Sequence, residues 1–367
     1  MKPTHLLRMT IVFIFVASGA SLYANNAQAQ AFDVSQIKEM LRKDNKITWH
    51  GYYEFEYWDS ENKNSTFDAH KITTWMGVQL NKKAYFSAEI EYEHAPKIPE
   101  ERAGGSGEIN LDSAQLRLMP FDDTVAYFGV FYVPFGIEYY SYPGHKNKLV
   151  SRPKVMKSGG VIPGTWSDVG FGVNQVIPNV AQVDVFLING DARNGGVSRD
   201  SSQGGNNSKT FGARVMFDQF LEGVNIGASY AAGKWDKENE NKSARFSAHL
   251  RIDSDIITQI SYAPVLISEY VSGSDEMDSS VAGKDKNVSG YYAQLSSSVH
   301  PKLEVVARYG EYNNDDEKTD NTQTETSVGL VWHMMEGVQA KVEYQWNEEE
   351  GVEKDNNQTA FQLVAFW

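Results

Sequence analysis

The chain contains no cysteine in its 367 residues, which excludes a disulfide framework, a thiolate metal site and a cysteine nucleophile. It also lacks any apolar run approaching the ~20 residues that a membrane-crossing helix needs. The run from Met9 to Val16 is too short for that purpose. Positive charge is scarce: 34 Lys and Arg stand against 48 Asp and Glu, a net charge of -14 that argues against a nucleic-acid partner. Convincing helical windows are few. Glycine (30 residues) and aromatic side chains (12%) are plentiful instead, which favours an all-β chain.

The first 29 residues have the layout of a secretory signal. Lys2, His5 and Arg8 precede the apolar run, and small residues lead to Ala27-Gln28-Ala29, so cleavage is expected after Ala29. Residues 30–46 follow as a short periplasmic segment. Val34, Ile37 and Leu41 have helical spacing there, so the segment is read as a short amphipathic helix or a frayed tail.

From residue 47 to 367 the chain is a series of alternating segments. Strands are predicted at 47–58, 71–80, 84–93, 109–118, 124–133, 166–177, 181–189 and 209–219. Eight more are predicted at 224–234, 243–253, 256–263, 287–299, 303–312, 324–334, 338–347 and 358–367. The connections between them alternate between short and long. Short ones are Asn81-Lys82-Lys83, Pro120 to Asp123, Pro178-Asn179-Val180, Phe220 to Gly223, Ser254-Asp255, His300-Pro301-Lys302 and Met335-Glu336-Gly337. Long ones span 94–108, 134–165, 190–208, 264–286, 313–323 and 348–357.

An even strand count with short turns on one side and long loops on the other is the layout of a transmembrane antiparallel β-barrel of sixteen strands. The last strand supports closure. Phe361, Leu363, Ala365 and Trp367 share one face, and such a strand must pair on both sides or leave an adhesive edge. Trp49, Tyr57, Tyr92, Trp332, Trp346 and Trp367 lie near strand ends, where amphipathic rings settle at a lipid–water boundary. The mean hydropathy of -0.46 suits a barrel whose alternate residues line a wet lumen. The place expected for such a chain is the outer membrane of a Gram-negative bacterium, in contact with lipid and lipopolysaccharide.

Sixteen strands enclose a lumen too wide for side chains to fill, so passive diffusion of small hydrophilic solutes is the activity expected. Inward-facing charges are grouped. Glu54, Glu56, Glu89, Glu91 and Glu93 give an acidic wall, while Arg214, Arg245, Arg251 and Arg308 give a basic one on the opposite side of the ring. A transverse field across the lumen is the expectation; pairing of these charges with neighbours or with loops is the alternative.

The long connection at 134–165 carries Lys146, Lys148, Arg152, Lys154 and Lys157 against a lone acid, Glu138. Its prolines and glycines give turns and stiffness. It is read as a loop folded into the barrel, forming a positively charged constriction for anionic or carboxylated solutes. The alternative places it on top of the barrel against lipopolysaccharide phosphates. The acidic stretches Glu348 to Asp355 and Asn313 to Asp320 match no calcium-loop spacing and read as solvated loops.

Leu111-Asp112-Ser113-Ala114-Gln115-Leu116, Val133-Pro134-Phe135-Gly136-Ile137-Glu138, Trp166-Ser167-Asp168-Val169-Gly170-Phe171 and Phe186-Leu187-Ile188-Asn189-Gly190 follow one another in the chain. In this order they resemble the phosphate-selective porin O and P family and its broader relatives. The resemblance covers about 110–190; beyond it only the strand rhythm matches. It implies a sixteen-stranded homotrimeric porin whose third loop lines the constriction, with Lys146, Lys148, Arg152, Lys154 and Lys157 approaching the solute. Tyr132 stands where relatives often have a basic residue, and the dense arginine series of a phosphate channel is missing.

No cofactor and no metal are expected. There is no Gly-x-Ser-x-Gly, His-Glu-x-x-His or phosphate-binding glycine-rich loop, so no enzyme is expected. His50, His70, His94, His145, His249, His300 and His333 are dispersed, and each reads as a lone polar residue. The competing functions are a non-conducting structural or adhesin barrel and a barrel enzyme.

Overall fold

The computed structural model describes residues 47–95, 108–138, 144–157, 160–162, 166–190, 207–277 and 285–367. The signal sequence and the segment at 30–46 lie outside the described residues. Sixteen antiparallel strands close into one barrel in which each strand pairs with its chain neighbours and the first pairs with the last.

The strands are β1 (Ile47–Ser60), β2 (Thr66–Asn81), β3 (Ala84–Ala95), β4 (Glu108–Phe121), β5 (Thr124–Tyr132), β6 (Ser167–Ile177), β7 (Ala181–Ile188) and β8 (Thr210–Leu221). They continue with β9 (Val224–Lys234), β10 (Lys242–Asp253), β11 (Val265–Asp275), β12 (Lys286–His300), β13 (Leu303–Asn313), β14 (Thr322–Met335), β15 (Val338–Glu349) and β16 (Gln358–Phe366). Connections of a few residues on one rim, such as 82–83, 122–123 and 336–337, face longer ones on the other, such as 96–107, 133–166 and 189–209.

The side-chain distribution is inside out. Ile90, Phe128, Phe171, Phe211, Ile226, Phe246 and Val342 are exposed on the outer face, a band too large for a water-soluble surface. Trp49, Trp332, Trp346 and Trp367 are exposed outward too. The largest fully buried side chains include Arg214, Arg308 and Lys341, which point into the lumen. Among the described residues no helix is long and apolar enough to cross a membrane.

One predicted strand is misplaced. The segment 256–263 does not form the eleventh strand; a short helix α1 (Ser254–Thr258) occupies its start, and β11 runs over Val265–Asp275 instead. The Thr258 hydroxyl donates to the Ser254 carbonyl at 2.6 Å, and Gln259 and Tyr262 adopt positive φ of 56° and 67°, so this turn carries its own hydrogen bonding. The predicted turn Ser254-Asp255 therefore extends to 254–264, and the predicted loop 264–286 shrinks to 276–285. β11 escaped the pattern because its alternation is unusual. Ile267, Glu269 and Val271 are buried inward, while the outward face of the strand includes Ser268, Ser272 and Ser274.

Closure is fixed at the chain end. Gly51 and Trp367 exchange backbone hydrogen bonds at 3.2 and 3.0 Å. A Cβ at Gly51 would overlap the Trp367 ring, so this position requires glycine.

Candidate functional site

The connection between β5 and β6 turns into the lumen at Val133-Pro134-Phe135-Gly136-Ile137-Glu138. Three successive backbone N–H groups find lumen acceptors there: Gly136 donates to Ser229 Oγ at 3.0 Å, and Ile137 and Glu138 each donate to a different Glu269 carboxylate oxygen at 3.2 Å. Gly136 has φ +65°, and a Cβ would collide with that carboxylate. Ser247 Oγ donates to Glu269 at 2.6 Å, and Arg214 reaches the Gly136 carbonyl at 3.3 Å. The Pro-Phe-Gly-x-Glu motif is thus the point where the loop enters the barrel.

Further along, side chains of the far wall hold the loop. Gln339 donates to the His145 carbonyl at 2.6 Å and Lys341 to the Gly144 carbonyl at 3.0 Å. Glu343 accepts from the Ser151 N–H and hydroxyl at 2.7 and 2.6 Å, while Arg308 donates to the Ser151 carbonyl and hydroxyl at 2.8 and 2.7 Å. Glu325 accepts from the Lys154 N–H at 3.0 Å, and the Arg245 Nε donates to the Val161 carbonyl at 3.0 Å. These anchors lie on β8 to β15.

Apolar packing reinforces them. Phe135, Ile137, Val155, Met156, Val161, Ile162 and Trp166 join one buried cluster with Phe131, Phe186, Ile267, Val271 and Tyr292 of the wall. Each such side chain removed from water contributes ~1.5–3 kcal/mol. Leu149 forms a second contact with Val306 and Val331.

Of the five basic residues predicted for the loop, Lys148, Arg152, Lys154 and Lys157 lie near carboxylates, and Lys146 is half-buried. Lys148 pairs with Glu304 at 2.6 Å, an acid that His333 also contacts at 2.6 Å. Arg152 stands 3.5 Å from Glu138, whose other oxygen accepts from the Tyr292 hydroxyl at 2.8 Å. Burial pushes the Lys157 ammonium down, with Glu325 opposing the shift; burial lowers Lys154 and Lys146 as well. His145 lies against Tyr52 with ring centroids 4.8 Å apart, and burial holds its imidazole down at about 3.

The four predicted wall arginines are inward and each faces a carboxylate. Arg214 pairs with Asp184 at 2.8 Å, Arg245 with Asp275 at 2.8 Å and Arg251 with Asp253 at 2.9 Å. Arg308 lies 3.3 Å from Glu325 and 3.7 Å from Glu343. These acids offset the basic side of the expected transverse field. Asp184, Asp275, Glu325 and Glu343 share the inward parity of their strands, but only strand neighbours show which arginine each one meets.

On the opposite arc, Glu54, Glu56 and Glu91 are buried inward with Asp112, and Glu89 and Glu93 are partly buried. Lys71 lies 3.2 Å from Glu91 and 3.8 Å from Glu93, and Arg117 is buried on β4. The acidic wall therefore keeps an excess of negative charge: with Asp68 of β2, seven carboxylates face Lys71 and Arg117 on β1 to β4.

Two histidines read as isolated in the sequence come together. His94 Nδ1 and His70 Nδ1 lie 2.7 and 3.4 Å from the same oxygen of Asp68, and their rings are 5.2 Å apart. Their separation in sequence hid this; the pairing of β2 with β3 creates it.

A model for Gram-negative porins matches residues 162–352, more than half of the chain. The chain belongs to the Gram-negative porins. The porin is similar in fold to OmpF of Salmonella typhi, solved with daunomycin, at 12% identity and TM-score 0.62, covering 88% of this chain and 98% of that one. The anion-selective porin of Comamonas acidovorans matches at 11% identity and TM-score 0.60, over 88% and 99%. The trimer form of OmpT of Vibrio cholerae matches at 9% identity and TM-score 0.58, over 88% and 99%. The sequence matches none of the curated proteins. Family and fold place this porin in the outer membrane as a channel barrel.

Proposed function

We propose that this porin passes small hydrophilic solutes by diffusion, with no catalytic step, through a passage between the loop at 133–166 and the wall of β2 to β4. The carrying observation is asymmetric anchorage: the loop's anchoring bonds go to β8–β15, and the wall of β2 to β4 across from them bears the unbalanced carboxylates. In a narrow, partly dehydrated passage such an excess raises the local concentration of cations.

The preference for anions expected from the loop lysines loses its support on this geometry. Lys148 and Arg152 are engaged by Glu304 and Glu138, and Lys154 and Lys157 lie beside Glu325. The loop acts as a constriction through its bulk and its anchors. Export through the signal at 1–29, contact with lipopolysaccharide and assembly as a homotrimer belong to the same proposal; the trimer form of the Vibrio cholerae relative supports the last.

Planar-bilayer recordings in a potassium chloride gradient test the reading. The reversal potential is expected to have the sign of potassium preference, and Glu89→Gln with Glu93→Gln is expected to reduce it. An anion-preferring reversal potential, or no conductance at all, overturns it.

A further inference from the structure

We infer that Asp68, His70 and His94 form a binding site for one divalent transition ion of the zinc class at the outer mouth of the barrel, with water completing its coordination. The three nearest donor atoms, one from each of Asp68, His70 and His94, lie within 4.8 Å of one another, and Glu54, Glu56 and His70 form a second such group sharing His70. Two imidazoles with a carboxylate suit zinc or copper, whereas calcium and magnesium require oxygen donors throughout.

The separations fit a small coordination sphere. Bonds of about 2.0–2.1 Å in a tetrahedron set donor atoms about 3.3 Å apart. Asp68 and His70 are 3.4 Å apart. The 2.7 Å hydrogen bond between His94 and Asp68 has only to open by about half an ångström.

The backbone places these donors by an irregularity. Between the β1–β2 pairs Glu54↔Lys71 and Glu56↔Asp68 one residue of β1 faces two of β2. This bulge brings Asp68 and His70 to the side that Lys71 and Thr73 also face. His94 reaches them from the end of β3 with a positive φ of 53°, uncommon for a residue with a side chain. Glu56 adds negative charge beside His70 and is fixed in place by Trp58 Nε1 and Gln362 Nε2, from which it accepts at 2.6 Å each.

A separate observation points to a cation there. Glu54 is 1% exposed and its Oε1 has no hydrogen-bond partner, a costly state for a buried carboxylate oxygen. The side chains of Asp68, His70 and His94 are 23, 25 and 50% exposed, so an ion can enter from the external side.

Calorimetric titration of the chelator-treated, detergent-folded porin with zinc chloride tests this. One zinc per chain is expected, with His70→Ala and His94→Ala each weakening binding at least tenfold and calcium chloride failing to compete. Heat-modified migration in gels verifies folding, and His94→Gln, at the exposed rim, gives a variant with little reason to misfold. Unchanged zinc affinity in the His94 and His70 variants overturns the assignment, as does effective competition by calcium. The titration reads binding, not conduction, so its failure is separate from failure of the diffusion reading.

Discussion

Arg308 holds both sides of the loop-to-wall contact, donating to Ser151 while lying beside Glu325 and Glu343. Removing it would leave two buried carboxylates facing each other without their counter-charge. Arg308→Ala is therefore expected to cost about 3–5 kcal/mol, read as a lower urea midpoint of the lipid-reconstituted barrel. Conductance should rise with it as Ser151 loosens. Arg308→Lys should recover only part of the loss, because an ammonium cannot present the two parallel donors that Ser151 receives. At this scale the sequence revealed that Arg214, Arg245, Arg251 and Arg308 point inward, since strand parity decides that. It concealed their partners: which carboxylate meets each arginine depends on strand neighbours and on the path of the loop.

The loop at 133–166 is the element whose placement decides the character of the lumen. Its docking includes His145, packed on Tyr52 and 6.0 Å from the Phe366 ring, with an Nδ1 that is buried and unpartnered. Burial depresses this imidazole to about 3 from an ordinary 6.5, so between those values the unfolded chain binds more protons than the folded one. Its contribution is complete above about pH 6.5 and disappears as pH falls toward about 3. The urea midpoint of the wild type should fall more between pH 7 and pH 4 than that of His145→Phe, which carries no such proton. Equal falls would remove His145 from the account. That this connection enters the barrel was readable from its prolines, glycines and charge. The place of β11 was not, because Ile256, Ile257 and Ile260 imitate a strand, whereas the true one carries its apolar residues inward to meet the loop.

Across the whole molecule, stability follows from having no free edge. β16 bonds β15 on one side and β1 on the other, and the Gly51–Trp367 pair completes the ring. Deleting residues 358–367 should prevent folding into lipid vesicles, leaving a product that migrates identically in gels with and without heating. Retention of a heat-modified band would show that β1 and β15 can close the ring without it. Strand count, closure and membrane setting were legible because period-two alternation and turn spacing are local signals. The sign proposed for the passage's charge was hidden because it depends on which half of the wall the loop occupies.

That one-sided attachment has an evolutionary and practical corollary. The strands gripping the insert and the strands bordering the open side are different sets, so permeant preference can drift, or be redesigned, by exchanging inward residues of β2 and β3 while the supporting framework stays intact. A lineage of such channels could change diet without rebuilding its gate.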